Sequence, residues 1–355
     1  MSSKARGLAD LGNAFDDGAL SNRNLIINGG MVIDQRNGGS AVTLTATEVY
    51  IADRWPVYET QTSVLSGQQN QGSVTPPDGF SNYMGYTSLA ASTVSANNIH
   101  IFFHNIEGYN FAQAGWGTAN AKPVTLSFWV RCSLTGSFGG SFVNKDQNRS
   151  YPFTYTVSAA NTWEYKTITV AGDTAGTWKT NNQRGLNINW SLGTGSDYEG
   201  AEGAWVASNK FSAAEGTVDL IGTSGATWQI TGVQLEVGDT ATPFEHRSYG
   251  DELQRCKRFF EVTTLNDHTF SKYNSNSAYG NVSWEVEKRS APTLTLTGDW
   301  KAYGSGQGAA SVVNLYAQHE DTGSARLQID NGSYSSYFVR QGTPTAGLIL
   351  ADAEL

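Results

Sequence analysis

The five histidines of this 355-residue chain stand at positions 100, 104, 246, 268 and 319, and His100 and His104 are the pair spaced to act together. In Ile99-His100-Ile101-Phe102-Phe103-His104, positions 100, 102 and 104 share one face of an extended strand. The two imidazoles could therefore hold a metal with a carboxylate such as Glu107. No third ligand stands at a set spacing, and the simpler expectation puts both on the solvent face of a strand. His246 reads as structural. Cys132 and Cys256 are too few and too far apart for a disulfide framework or a zinc pattern, and both are expected as thiols made in a reducing cytoplasm. Asp197, Glu199 and Glu202 share one stretch, and Asp251 adjoins Glu252. Glycoside hydrolysis needs two carboxyl groups roughly 5–9 Å apart. Sequence spacing does not fix such a separation, and solvated loop acids are the alternative. Gly193-Thr194-Gly195 lacks the lysine and the following helix of a phosphate cradle. No Gly-x-Ser-x-Gly elbow occurs. No catalytic residue and no metal-ligand set is assigned, and the chain is expected to bind rather than to turn over.

Aromatic side chains are the stronger candidates. Trp116, Trp163, Trp178 and Trp205 lie among glycine and polar residues, where loops are expected. A loop tryptophan can stack on the apolar face of a sugar ring while amide side chains bond the hydroxyls. Alternatively, each plugs the end of a β-sandwich. Trp163, Trp178 and Trp205 are taken as candidate sugar-stacking residues. Further along, Trp300, Tyr303, Tyr334 and Tyr337 lie in Gly/Ser/Asn-rich segments, a composition that makes adaptable recognition surfaces.

These residues need a rigid frame. With 39 glycines, 12% aromatic and only 15% charged residues, the chain has the profile of an all-β sandwich protein. The net charge of −9, without a Lys/Arg-rich run, argues against binding nucleic acid through its phosphates. No apolar run approaches the roughly 20 residues that span a bilayer. The first ten residues are polar and show no secretory signal, which favours assembly inside a cell. Residues 24–247 read as one large β-domain with strands at 24–28, 124–131, 165–170, 185–192 and 228–237. Leu126, Phe128 and Val130 alternate toward one face. Leu186, Ile188, Trp190 and Leu192 point to a core, with the asparagines outward. The phase of residues 228–237 shifts after Gly232, which predicts a bulge. Residues 248–262 form a hinge in which Leu253, Cys256 and Phe260 share one side of two helical turns. Residues 263–355 form a smaller β-domain. In residues 1–23, Leu8, Leu11, Phe15 and Leu20 are too sparse for a core. This segment is either a frayed terminus or an extended peptide that orders on a partner.

The junction Ala241-Thr242-Pro243-Phe244-Glu245-His246-Arg247-Ser248-Tyr249-Gly250-Asp251-Glu252-Leu253 resembles the hinge of phage tail-fibre proteins of the marine and cyanobacterial type. The segment Ser21-Asn22-Arg23-Asn24-Leu25-Ile26-Ile27-Asn28-Gly29-Gly30-Met31 resembles their opening strand, and Arg289-Ser290-Ala291-Pro292-Thr293 and the terminal Ala351–Leu355 are similar to later parts of them. The order of motifs in residues 24–247 resembles the jelly-roll sandwich of non-catalytic carbohydrate-binding modules. The resemblance implies a virion tail protein assembled in the host cytoplasm. Residues 1–23 would dock on phage tail or baseplate proteins through Leu8, Leu11, Phe15 and Leu20. A jelly-roll β-sandwich would form the body, and a second, smaller C-terminal β-domain would meet a host cell-surface glycan or protein at Trp300, Tyr303, Tyr334 and Tyr337. A homotrimer is expected, since the apolar hinge face needs cover. Sandwiches of this kind often hold a structural calcium, for which Asp34 and Glu236 are the nearest candidates. The alternatives are a carbohydrate-binding module of a polysaccharide-degrading system and a polysaccharide depolymerase. No nucleic-acid partner and no membrane insertion are expected.

Overall fold

The computed structural model describes residues 22–355 apart from residues 46, 63, 214–215, 265–267, 273–276, 299, 305–309, 312–313, 319, 331–336 and 342–347. The proposed docking peptide, with Leu8, Leu11, Phe15 and Leu20, lies outside the described residues. The chain divides into two units, Met1–Tyr249 and Gly250–Leu355, and is all-β in architecture.

The first unit is a jelly-roll β-sandwich. Its strands are β1 (Val42–Thr43), β2 (Glu48–Ala52), β3 (Trp55–Glu59), β4 (Leu65–Gln69), β5 (Met84–Ser88), β6 (Ile99–Glu107) and β7 (Val124–Cys132). They continue as β8 (Gly136–Val143), β9 (Ser150–Val157), β10 (Glu164–Val170), β11 (Arg184–Thr194), β12 (Glu199–Gly200), β13 (Ser212–Ala213) and β14 (Thr227–Val237). One sheet has the order β1-β4-β5-β14-β7-β10 and the other β2-β3-β6-β11-β8-β9; β12 and β13 make a short parallel pair. Between the sheets lies one core. Leu126, Phe128 and Val130 of β7 face Leu186, Ile188, Trp190 and Leu192 of β11 across it, with Trp55 and Trp228 filling the middle. Both alternations follow the sequence pattern, because one face of each strand is dry. The bulge is also where the phase shift puts it. β14 slips against β7 between Thr231 and Gln234, and Gly232 sits there at φ +62°, a conformation that a β-carbon would strain.

The opening segment differs from its expected form. Residues 24–28 carry no strand assignment. Side chains replace most of the ladder. Leu25 N–H does donate to Leu235 O, but the Asn24 carboxamide then takes over. Its Oδ1 accepts from Ile26 N–H and Leu235 N–H, and its Nδ2 donates to Val233 O. The segment after β14 closes a clasp over it. The Glu245 carboxylate accepts from the backbone N–H groups of Asn22 and Asn24, and Arg247 donates to the carbonyls of Asn24 and Ile26. Thus the two ends of the sandwich sequence, more than 200 residues apart, are tied together by charge-assisted hydrogen bonds.

In the second unit, helix α1 (Tyr249–Lys257) leads into strand Phe260–Thr263. That strand joins Leu348–Asp352 and Thr293–Thr297 in a three-stranded sheet; a seven-stranded sheet completes the unit. Phe270, Val282, Trp284, Leu327, Ile349 and Ala351 form its core. The hinge assignment needs correcting in one respect. Cys256 and Phe260 are 0% and 3% exposed within the single chain. Leu253, the third residue of that face, is half-buried, so the face is largely covered within the single chain. Nearby, Lys288 Nζ lies 2.5 Å from Glu261 Oε2, with both side chains essentially buried at 0% and 1% exposure. Lys288 also donates to Val286 O, and Glu261 accepts from Glu285 N–H.

Two predictions follow from these contacts. Removing one member of the buried pair leaves the other charge in a dry site. Glu261→Gln should therefore lower the stability of the second unit by about 3–5 kcal/mol, whereas Glu261→Leu with Lys288→Met should cost far less; chemical denaturation of the three proteins checks this. For the clasp, burial works to raise the Glu245 pKa. It is outweighed by the Asn24 N–H, the Arg247 guanidinium, the Asn22 N–H and Arg23, so the carboxyl is held below the usual glutamate range. A depressed folded pKa gives stability that is present above the unfolded value and lost as pH falls through the folded one. Below about pH 4.5 the first unit's unfolding temperature should fall. Glu245→Gln should be less stable at neutral pH, and its deficit should shrink on acidification.

Candidate functional site

The central pair of the second sheet, β6 and β11, is buried on both faces, and this creates the site. On β6 the even positions point into the core. His100 and His104 are 0% and 1% exposed, which corrects their expected place on the solvent face. The His104 ring lies 4.4 Å from Trp55, and its Nε2 accepts from Ile27 N–H; His100 Nδ1 bonds Gly193 O at 3.0 Å. Burial holds both imidazoles below the usual histidine range, aided at His104 by the charge of Arg54. Glu107 has the opposite parity in the strand and does not share their face. No group of three or more metal-ligating side chains occurs among the described residues.

The odd positions of β6 carry Ile99, Ile101 and Phe103 to the outer face of the sheet, where they form a second apolar cluster with Val143 and Phe211. Register sets their neighbours. Tyr58 of β3 pairs with Ile101, and Phe103 pairs with Asn189 of β11, which pairs in turn with Ser141 of β8. In the next row Asn187 lies between Asn105 and Val143. The asparagines of β11 therefore face outward, as their alternation indicates.

A wall rises beside this floor because residues 195–213 leave the sheet and return over β8. Ser212 and Ala213 pack over β8 at Gly139, where a β-carbon would collide with Ser212 Oγ. This excursion brings Tyr198, Asn209 and Phe211 to the floor, with the Tyr198 and Phe211 rings 5.6 Å apart. Gln147 from the β8–β9 turn and Glu48 from β2 complete a groove of about 290 Å³. That is near the lower end of the roughly 300–1,000 Å³ typical of ligand sites.

The groove combines an apolar floor, two half-buried tyrosines and a set of carboxamides. Asn187 Nδ2 donates to Asn105 Oδ1, and Asn189 Nδ2 donates to Ser141 Oγ. Asn189 Oδ1 is buried and has no hydrogen-bond partner within the protein, and the same holds for Asn209 Oδ1 and Arg184 Nε. Arg184 donates to Lys145 O; burial lowers its pKa against the opposing charges of Glu48, Tyr50 and Asp146. Among the lining residues Glu48 is the one carboxylate. The loop acids lie elsewhere. Glu199 is raised above the usual range by burial and then by the charge of Asp219, while Glu202 accepts from Thr154 Oγ1 and is exposed.

The tryptophans chosen from sequence do not line the groove. Trp178 and Trp205 pack edge-on with Trp116, with ring centroids 4.8–5.5 Å apart, at one end of the sandwich. Arg149 forms a bidentate ion pair with Asp173 beside them. Trp163 packs against Tyr83 and donates to Thr75 O. In the second unit, Trp300 and Tyr303 lie in strand Trp300–Gly304, paired with Tyr337–Gln341; Tyr334 is outside the described residues. The calcium candidates are not brought together. Asp34 accepts from Asn37 N–H and Gly39 N–H, and Glu236 accepts from Gln234 and Thr242. Both Cys132 and Cys256 are free thiols, and burial pushes Cys132 up to about 11.

The placement of the tryptophans gives a further expectation. Trp178→Ala should destabilise the first unit by about 3–5 kcal/mol through the cavity it leaves. Thermal melts of the variant beside the native protein check this.

No family model and no curated protein matches this chain. Solved structures similar to it include tailspike protein 4 (enzymatically active domain) of bacteriophage CBA120. The match has 14% identity, a TM-score of 0.34, and 61% of this chain against 21% of that one. This chain thus spans about a fifth of the tailspike. They also include the family 11 carbohydrate-binding module of cellulase Lic26A-Cel5E of Clostridium thermocellum, at 10% identity and a TM-score of 0.26, covering 60% of this chain and all of that one. The tandem CBM22-1–CBM22-2 domain of Paenibacillus barcinonensis Xyn10C matches at 9% identity and a TM-score of 0.26, covering 91% of this chain and 100% of that one.

Proposed function

We propose that this protein is a non-catalytic, glycan-binding subunit of a phage tail fibre, and that the outer-face groove of its first unit is a glycan site. The observation that carries the glycan reading is the groove itself. Ile99, Ile101 and Phe103 offer an apolar floor, Tyr58 and Tyr198 stand half-buried beside it, and carboxamides converge on it with Asn189 Oδ1 lacking a protein partner. Apolar surface for the carbon faces of a sugar, with a few fixed polar groups for its substituents, is what such recognition requires.

The virion role is supported by the sequence resemblance at residues 21–31 and 241–253. On this reading residues 1–23 dock on the tail or baseplate, the protein resides in the virion tail after assembly in the host cytoplasm, and it assembles as a homotrimer. The trimer rests on that resemblance, since the hinge face does not require it. The second unit remains a proposed surface for a host receptor around Trp300, Tyr303, Tyr334 and Tyr337.

The test is a glycan array probed with the full chain, followed by titration of the best ligand. Tyr58→Ala and Tyr198→Ala should each weaken binding about tenfold, the effect of losing roughly 1.4 kcal/mol of ring contact, while thermal stability changes little. Binding that survives both substitutions unchanged, or binding to no glycan, would remove the groove as the site. Oligosaccharide release from host polysaccharide would instead support a depolymerase. Loss of tail attachment on deleting residues 1–23, with glycan binding intact, would separate a fibre from a free-standing binding module.

A further inference from the structure

We infer that the groove selects a glycan carrying an acetamido group, with the acetamido N–H on Asn189 Oδ1 and its methyl on the apolar floor. This deepens the glycan reading above and rests on it. The geometry around Asn189 is specific. Its residue is 0% exposed, its Nδ2 is committed to Ser141 Oγ at 3.1 Å, and its Oδ1 has no partner. A buried acceptor without a donor is costly, so this atom is a place where a ligand N–H or O–H would gain most. Its surroundings decide between the two donors. Phe103 is its direct cross-strand neighbour, and Ile101 and Val143 occupy the adjoining rows. All three belong to the outer apolar cluster.

A sugar hydroxyl donating to Asn189 comes with further hydroxyls on the neighbouring carbons. Those held against Phe103, Ile101 and Val143 would be stripped of water beside carbon, since the polar rim groups stand off the floor. An acetamido group has the complementary shape. It presents one N–H beside a methyl, so the donor reaches Oδ1 while the methyl covers aliphatic and aromatic carbon. Its carbonyl still needs a donor. The rim supplies carboxamides at Asn209 and Gln147, which touch each other only at 3.5 Å and so can turn toward a ligand. The floor also lacks a tryptophan platform among its lining residues, and Ile99 and Ile101 fit a methyl better than the flat face of an unsubstituted ring. Arg184 and Glu48 line the same groove with opposite charges, which favours a substituent that is polar but neutral.

The experiment uses the full chain and matched oligosaccharide pairs. N-acetylglucosamine and N-acetylgalactosamine oligomers are compared with the same chains bearing a hydroxyl at that carbon, by calorimetric titration. At least one N-acetylated member should bind tenfold or more tighter than its hydroxyl counterpart. Asn189→Leu, which keeps the volume and removes the acceptor, should bring that ratio close to one. Asn209→Ala, at a half-buried rim position, should reduce the ratio without abolishing it. Should Asn189→Leu fail to fold, side-chain amide NMR of the native protein replaces it; the Asn189 and Phe103 resonances should shift on adding the N-acetylated oligomer. Equal or tighter binding of the hydroxyl partners, still sensitive to Tyr58→Ala, would overturn the acetamido inference and leave the glycan reading standing. Binding of neither series, together with an empty glycan array, would overturn both.

Discussion

The pairing of β6 with β11 is the constraint on which the rest of the first unit depends. A strand at the middle of a sheet has two faces and one side-chain period. Here both faces are apolar, so the sheet can be covered from either side. The inner face, with Phe102, Ile106, Ile188 and Trp190, belongs to the sandwich core. The outer face, with Ile99, Ile101 and Phe103, would be left to water if nothing covered it. The excursion through residues 195–213 covers part of it, and the uncovered remainder is the groove. A one-residue slip of β6 would move His100 and His104 to the outside and bury a different set. Core and site are therefore specified by the same register.

The excursion is held by the absence of side chains as much as by their presence. Gly139 leaves room for Ser212, and Gly140 leaves room for the Asn189 carbonyl and the Phe153 ring. The β12–β13 pairing and the bridge between Ser150 and Val206 fix the path of the loop over β8 and β9. Bulky residues on β8 would lift the wall from the floor and open the groove to solvent. At the other end of the sandwich the clasp of Asn24 with Glu245 and Arg247 does the corresponding work. It ties residues 22–26 to residues 245–247 beside the central strand β14.

Much of the frame was legible in the sequence, and the reasons are local. Alternation in β7 and β11 is strict, since only one parity there is strongly apolar, and Gly232 announces its own bulge. The site was less legible. In residues 99–104 apolar residues occupy both parities, which is the mark of a strand covered on both sides; that signal was present and would have placed the histidines inward. The loop tryptophans misled because a large aromatic among glycines fits either a sugar platform or a plug. Trp116, Trp178 and Trp205 chose one another, a contact between positions up to 89 residues apart that spacing does not reveal. Tyr58, Tyr198 and Phe211 gave no signal at all, since their convergence depends on where the excursion returns. The opening segment was recognisable by its residues, yet its strand character was overstated: Asn24 does with its carboxamide what a ladder would have done with backbone.

The size of the groove bears on how such a protein would work. About 290 Å³ admits little more than the short end of a glycan chain, and a site that small forms few contacts. Each contact must also overcome the loss of motion on binding. A single copy would then hold its ligand weakly and release it quickly. On the proposed fibre reading, several copies displayed together would change this, because once one groove is occupied the next meets a ligand at high local concentration, and avidity can exceed single-site affinity by roughly 10²–10⁴. On that reading, weak, repeated and reversible contact would suit a particle that must search a cell surface before committing to it. On this account, selectivity must come from discrimination at each groove rather than from tight binding, because avidity multiplies small differences between one glycan and another. A buried acceptor ringed by apolar groups, as at Asn189, is the kind of feature that supplies such a difference, since the wrong ligand leaves it unpaired while the right one does not.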